Sequence, residues 1–314
     1  MRLVFMGTPD FAVPTLKTLR GEKHDILLAV TQPDRPKGRG GKLAVSPVKE
    51  TALKLGVAIA QPVKVREDIF VEHLQRLAPD VIVVVAFGQI LPQAILDIPR
   101  YGCINLHASL LPKYRGAAPI HWAVLNGETE TGNTTMLMDK GMDTGDILLV
   151  NRVPIGRLDT TGQVHDRLAC TGALLMAETL AGLAAGTLTP VRQNHALASH
   201  APKLTADMER IDWQTGSVAV CNKIRGLYPW PVAYNLTDAG ERLKIHEARI
   251  TGLPCPAGAL PGQLIRTTAD GFLLAAGDAL LEILKVQPEG KKAMTAVDFL
   301  CGREHSKKDL MIFG

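Results

Sequence analysis

Cys103-Ile104-Asn105-Leu106-His107-Ala108-Ser109-Leu110-Leu111-Pro112-Lys113-Tyr114-Arg115-Gly116 is the stretch on which the fold and the chemistry of this chain turn. Cys103, Ile104 and Leu106 mark a short apolar strand, and a strand sends successive side chains to opposite faces. Asn105 and His107, two residues apart, therefore share a face. Pro112 and Gly116 break the regular backbone, so the polar pair lies where a strand opens into a loop. An amide donor beside an imidazole suits acyl transfer, in which charge gathers on an oxygen and a proton must move. Asp143, in the turn-like run Lys140-Gly141-Met142-Asp143-Thr144-Gly145-Asp146, supplies a carboxylate able to orient and polarise the imidazole.

Working outward, further short apolar runs read as strands: Leu3 to Met6, Ile26 to Thr31, Val57 to Ala60, Val81 to Ala86 and Thr134 to Met138. Stretches long enough for helices lie between most of them, such as Val48 to Leu55 and Arg66 to Leu77. Apolar strands alternating with helices predict an α/β fold, a Rossmann-like, mostly parallel sheet flanked by helices. A longer helix is expected from about Gly162 to about Leu183. Thr187 to Ala206 has no clear hydrophobic period, carries Pro190 and Pro202, and reads as a linker. Beyond it, a helix at Ser217 to Leu227 precedes short runs at Leu243 to Ile250, Gly262 to Arg266, Gly271 to Ala276 and Ala279 to Val286. These predict a small C-terminal β-barrel of the OB-like kind. The expected domains are a catalytic domain at 1–189, a linker at 190–206 and the barrel domain at 207–314.

Composition narrows the function classes. The 314 residues are 46% hydrophobic and 21% charged, enough for two cores. The five cysteines stand far apart, which argues against a zinc site or disulfide framework and for a reducing compartment. Leu3 to Met6 is too short for a signal-peptide core, and the longest purely apolar run, Val81 to Phe87, is too short to span a bilayer. A cytoplasmic protein without a membrane partner, monomeric by default, is expected. Gly7-Thr8-Pro9 lacks the further glycines of a dinucleotide fingerprint, which speaks against a nicotinamide enzyme and leaves two readings, a plain strand-to-helix turn or backbone amides facing an anion or a carbonyl at the helix N-terminus. No metal-ligand spacing appears among the His and acidic residues, so no metal is expected.

The net charge of +4 is concentrated in one place. Pro33 to Lys49 holds five cations (Arg35, Lys37, Arg39, Lys42 and Lys49) and the single acid Asp34, a net of +4 in that segment alone. In a Gly- and Pro-rich loop such charge points to an anionic partner, with Arg35, Lys37, Arg39 and Lys42 able to pair with phosphates. Residues 207–314, by contrast, carry 13 basic and 13 acidic residues. Tyr228-Pro229-Trp230-Pro231 reads as a packed turn rather than a base-stacking platform.

The Asn-x-His pair, the Ser109-Leu110-Leu111-Pro112 continuation and the later Asp143-Thr144-Gly145-Asp146 together resemble the folate-dependent formyltransferases. Further stretches resemble the branch that acts on initiator methionyl-tRNA. They are Met6-Gly7-Thr8-Pro9-Asp10-Phe11, the basic loop from Thr31, Arg115-Gly116-Ala117-Ala118-Pro119-Ile120 and Gln287-Pro288-Glu289-Gly290-Lys291-Lys292-Ala293-Met294. The resemblance runs from Met1 to about Met294. It implies transfer of a formyl group from 10-formyltetrahydrofolate to the α-amino group of methionyl initiator tRNA in translation initiation. Asn105, His107 and Asp143 would be catalytic, with Asn105 and His107 as donors to the oxyanion. Phe87, Gly88, Ile90 and Leu91, with Ser109, Leu110, Leu111 and Pro112, would contact the folate. The basic loop would contact the acceptor end of the tRNA. The rivals are another formyltransferase or hydrolase of that superfamily, acting on a nucleotide, a sugar amine or water, and a non-enzymatic RNA-binding protein.

Overall fold

The computed structural model describes residues 1–37, 42–237 and 240–302, with Lys37 and Lys42 described as backbone only. In chain order the first elements are Arg2–Gly7 (β1), Val13–Gly21 (α1), Asp25–Val30 (β2), Arg35–Lys37 (β3), Lys42–Ala44 (β4) and Pro47–Lys54 (α2). Ile59–Ala60 (β5), Asp68–Leu77 (α3), Val81–Val85 (β6), Gln93–Leu96 (α4) and Cys103–His107 (β7) follow. Then come Pro119–Leu125 (α5), Glu130–Leu137 (β8), Ile147–Pro154 (β9) and Thr161–Ala185 (α6). The chain forms two compact units, one of residues 1–119, 130–154 and 165–202, the other of 120–129, 155–164 and the described part of 203–314.

In the first unit seven strands run in the order β5-β2-β1-β6-β7-β8-β9. The five from β5 to β7 are parallel, and β8 and β9 add antiparallel at one edge. All five residues of Val81–Val85 are buried, as a central strand covered on both faces requires. The flanking helices are stopped by local chemistry. Ser46 caps α2 by accepting from the Lys49 amide, with Pro47 at the first helical position, and α3 ends at Ala78 in the left-handed region. β9 escaped the sequence reading because Asn151 and Arg152 interrupt its apolar run at the sheet edge, where one face can be polar.

Helix α6 decides which face of β7 is left for chemistry. Gly172 abuts Leu106, since a Cβ there would lie 2.8 Å from Leu106 Cδ2. On the same side Asn133 Nδ2 donates to Leu168 O at 3.1 Å, and the hydroxyls of Thr135 and Thr179 meet at 2.8 Å. The helix thus covers the face carrying Leu106, and alternation turns Asn105 and His107 to the other side. The crossover ends of the parallel strands are tied together there. Thr8 Oγ1 and Gln32 Nε2 both donate to Phe87 O, at 3.0 and 3.3 Å. Open α/β sheets bind ligands at these strand ends.

The second unit contains Ser217–Gly226 (α7), Tyr234–Leu236 (β10), Arg242–Pro254 (β11), Leu264–Thr267 (β12), Phe272–Ala275 (β13), Ala279–Pro288 (β14), Met294–Thr295 (β15) and Ala296–Cys301 (α8). The expected β domain is an antiparallel sheet in the order β10-β11-β14-β13-β12, with β15 on β14. Among the described residues no β10–β12 pair closes it into a ring. Its core gathers Trp213, Val220, Ile224, Leu243, Ile245, Phe272, Leu281, Ile283 and Phe299. The Tyr228–Pro231 turn divides its aromatics: Tyr228 meets the His246 ring edge-on at 5.4 Å, whereas Trp230 is 68% exposed. Trp230 is therefore not the packed residue that the flanking prolines suggested.

Candidate active site

Two neighbouring side chains of β7, Asn105 and His107, meet the distant Asp143 on the face of β7 turned away from α6. Asp143 Oδ1 accepts from Asn105 Nδ2 at 3.4 Å across 38 residues of chain, and Asp143 Oδ2 lies 3.6 Å from His107 Nδ1. A backbone donor completes the carboxylate's set, Gly116 N–H to Asp143 Oδ2 at 2.8 Å. The His107 and Asp143 side chains are 7% and 15% exposed, so these contacts are made largely out of water, where each is stronger. His107 Nε2 lies 2.9 Å from Tyr114 O. A carbonyl only accepts, so this nitrogen carries a hydrogen. Both imidazole nitrogens thus face acceptors supplied by the protein. An oxyanion donor at His107 would first have to leave one of them, and the Asn105 carboxamide, with a second N–H, is the freer donor.

The loop between β8 and β9 is built by small residues and one acid. A Cβ on Gly145 would fall 1.7 Å from Leu137 O, and one on Gly141 would fall 1.9 Å from Thr144 Oγ1. Asp139 Oδ1 accepts from Gly141 N at 2.9 Å and Thr144 Oγ1 at 2.6 Å, an Asx-type turn that sets the loop's path. Asp143 itself adopts φ +53°, uncommon for a residue with a Cβ. The Asp-Thr-Gly sequence thus has a steric reason at Gly145 as well as a chemical one at Asp143.

The residues expected near a folate divide by burial. Phe87 and Leu91 belong to the apolar core with Val4, Met6, Ile82 and Val84. Ile90 between them is 81% exposed, and Gly88 takes φ +88°. Ser109 is buried, its hydroxyl donating to Lys113 O at 2.6 Å, and Leu111 is buried with its N–H on Thr134 Oγ1 at 3.2 Å. Leu110 is half-buried and packs toward Gly132, and the Leu111–Pro112 bond is cis.

The basic segment is a two-stranded hairpin rather than an irregular loop: β3 pairs antiparallel with β4, Arg35 opposite Ala44 and Lys37 opposite Lys42. Arg35 is exposed; Arg39 and the side chains of Lys37 and Lys42 lie outside the described residues. Lys49, one of the segment's five cations, is neutralised at the hairpin's base. Its ammonium meets Asp34 and also Gln61 Oε1 at 2.7 Å, while Gln61 Nε2 donates to Asp34 Oδ1 at 2.8 Å. That hydrogen bond from Lys49, then the one from Gln61, hold the Asp34 carboxyl below its usual range.

Several contacts of this site carried no sequence signal. Tyr114 and Gly116 stand in the motif stretch, but Tyr114 O and Gly116 N act through the backbone, to which residue type is mute. Residues 191–201 lie along the site: Val191 exchanges two backbone hydrogen bonds with Ile147, both 2.8 Å, and Ser199 O accepts from Arg115 N at 2.9 Å. Ser199 Oγ accepts from Tyr114 N at 2.9 Å, and Ala201 N donates to Arg115 O at 2.7 Å.

The chain matches two family models, one described as formyl transferase over residues 1–180 and one as formyl transferase, C-terminal domain, over residues 203–304. It is 50% identical over 304 residues to a methionyl-tRNA formyltransferase of Citrifermentans bemidjiense, covering 96% of this chain and 93% of that one. It is 51% identical over 302 residues to that of Moorella thermoacetica, covering 96% of each. Among solved structures, an N-formyltransferase from Helicobacter canadensis in complex with folinic acid and dTDP-3-aminofucose has the same fold. The TM-score is 0.68 at 19% identity, over 90% of this chain and 98% of that one. By matches that run through both units, this chain belongs to the formyl transferase family, among its methionyl-tRNA formyltransferases.

Proposed function

We propose that the protein transfers the formyl group of 10-formyltetrahydrofolate to the α-amino group of methionyl initiator tRNA, and that Asn105, His107 and Asp143 do the chemistry. One observation carries the assignment of roles: the Asp143 carboxylate is the common partner of Asn105, His107 and Gly116. The folate supplies an electrophilic one-carbon unit, and the aminoacyl end supplies the nucleophile. Asn105 presents an amide N–H to the formyl oxygen as charge grows there, the kind of donor whose loss costs about a hundredfold in rate. As the amine–carbon bond forms and the bond from the folate N10 to the formyl carbon breaks, Asp143 takes the proton of the attacking amine and passes it to the departing N10, and His107, anchored on Tyr114 O, keeps the carboxylate facing the reaction. Positioning plus oxyanion stabilisation suffices for so electrophilic a donor, so the chain works without a metal.

Phe87, Gly88, Ile90 and Leu91 with Ser109, Leu110, Leu111 and Pro112 form the folate side. Arg35, Lys37, Arg39 and Lys42 hold the tRNA backbone. Residues 1–189 are the catalytic part, 190–206 the connection and 207–314 a second tRNA-binding part. The enzyme acts as a monomer in the cytoplasm, with no membrane partner. The test supplies 10-formyltetrahydrofolate with methionyl initiator tRNA, methionyl elongator tRNA or a small amine. Formylmethionine should form on the initiator alone, and equal formylation of the small amine would sink the assignment.

A further inference from the structure

Asp143 stands in the left-handed region, and the side chain of Gln193, from outside the loop, grips the backbone on either side of it. Gln193 Nε2 donates to Asp143 O at 3.0 Å and to Gly145 O at 2.7 Å, bracketing the residue on which the site converges. The other end of the carboxamide, Oε1, accepts from Arg115 Nε at 3.2 Å and from Arg115 Nη2 at 2.7 Å. That Nη2 also lies 3.1 Å from His195 Nδ1. Gln193 and Arg115 are 4% and 5% exposed, so these bonds are not shared with bulk water. One amide therefore joins two walls of the site, the loop after β8 that carries Asp143 and the loop after β7 that carries Gly116.

The chemistry of the pair fixes its direction. A guanidinium only donates, so it must meet Oε1, and this leaves both amide hydrogens for the two carbonyls. Were position 193 needed only to neutralise a buried arginine, glutamate would serve better, forming a charge-assisted pair. Glutamate has no hydrogen for the carbonyls and would bring a second negative charge toward Asp143. Glutamine is the side chain that can accept from Arg115 and donate to the loop at once.

We propose that Gln193 is a positioning residue for the Asp143 carboxylate, with Arg115 locking the carboxamide in the orientation that holds the loop. This rests on the catalytic role of Asp143 proposed for the formyl transfer. Gln193 touches neither substrate; it sets where the carboxylate stands relative to His107 and Asn105.

The test compares Gln193→Met, which keeps the volume and removes every hydrogen bond, with Gln193→Glu, which keeps the acceptor for Arg115. Both are made in the full chain, alone and with Asp143→Asn, and assayed for formylation of methionyl initiator tRNA, with thermal unfolding to confirm the fold. Misplacing a reacting group by about an ångström costs up to about a hundredfold, so each single variant should lose about 10- to 100-fold in kcat. The KM values for both substrates should stay within about threefold, because the loss lies in placement of the reacting group rather than in substrate binding. In the Asp143→Asn background Gln193→Met should cost less than about threefold more, since residues acting through one another are not additive. Folded variants with near-normal kcat, or losses that multiply in full, would overturn the proposal. An active Asp143→Asn protein would instead overturn the catalytic assignment. Should Gln193→Met not fold, Gln193→Glu decides.

Discussion

Two segments without hydrophobic period, the basic stretch after Thr31 and the stretch from Val191 to Ala201, are held in opposite ways. Among the described residues the first is pinned at its base, where Asp34, Lys49 and Gln61 form a closed set of hydrogen bonds, and it continues as the β3–β4 pair with Arg35 exposed. The second is pinned along its length by backbone bonds to Ile147, Pro112, Arg115 and Ala118 and by the side chains of Gln193 and Ser199. Exposed cations on such a strand pair can reach an anionic partner. A segment held at Val191, Gln193, Ser199 and Ala201 becomes part of the wall it lines. Changes in the first should therefore act on tRNA affinity and changes in the second on turnover.

Replacing the proposed reacting groups sets the upper limit. Asn105→Ala, His107→Ala and Asp143→Asn should each lower kcat by about 10²- to 10³-fold, with tRNA retention on filters nearly unchanged. Next comes Gly116→Ala, at φ +119°, where a Cβ would stand 2.8 Å from Ala201 O on the lengthwise-held segment. It should lose about 1–3 kcal/mol in denaturant unfolding and at least about tenfold in kcat. Equal stability of that variant and the parent would show that the segment is not a wall at all.

On the hairpin side, charge reversal at Arg39 and Lys42 should raise the tRNA Kd and flatten the plot of log Kd against log salt. The slope should fall by about one for each phosphate that the variant no longer neutralises. An unchanged slope with reduced kcat would erase the distinction between the two segments. A smaller effect is expected of Ser199→Ala, which leaves the Tyr114 N–H without its side-chain acceptor. A loss of about 1 kcal/mol in stability and a few-fold decrease in kcat are expected. Smallest is the pH response of the hairpin base. The Asp34 carboxyl titrates below its ordinary value of 3.8, so its contribution is complete above that pH and lost as pH falls through the lowered value. Protection of the hairpin from proteolysis by an acid-stable protease should hold through mild acid and fail below that value, and Lys49→Met should move the failure upward.

The parallel part of the sheet could be read from Val81 to Val85 and its neighbours because a strand buried on both faces has no choice but to be apolar. Strand alternation settles that Asn105 and His107 share a face, whereas Asp143, in a turn-like run of a common kind, gains meaning only in combination with them. The β3–β4 pairing was not readable, since Arg35, Pro36 and Lys37 lack the alternation of a half-buried strand. Trp230 misled for the converse reason: two flanking prolines suggest a tight turn, but say nothing about which side of it meets solvent.

What the chain determined by itself is the set of candidate reacting groups, the sheet that carries them and the charged excursion, since each depends on side-chain type in a local pattern. Only the folded molecule decided that α6 covers the Leu106 side of β7, that Asp143 rather than His107 is the centre on which the donors converge, and that Gln193 reaches it. Those choices rest on backbone carbonyls and amides meeting across long separations, and every residue but proline carries the same pair of groups.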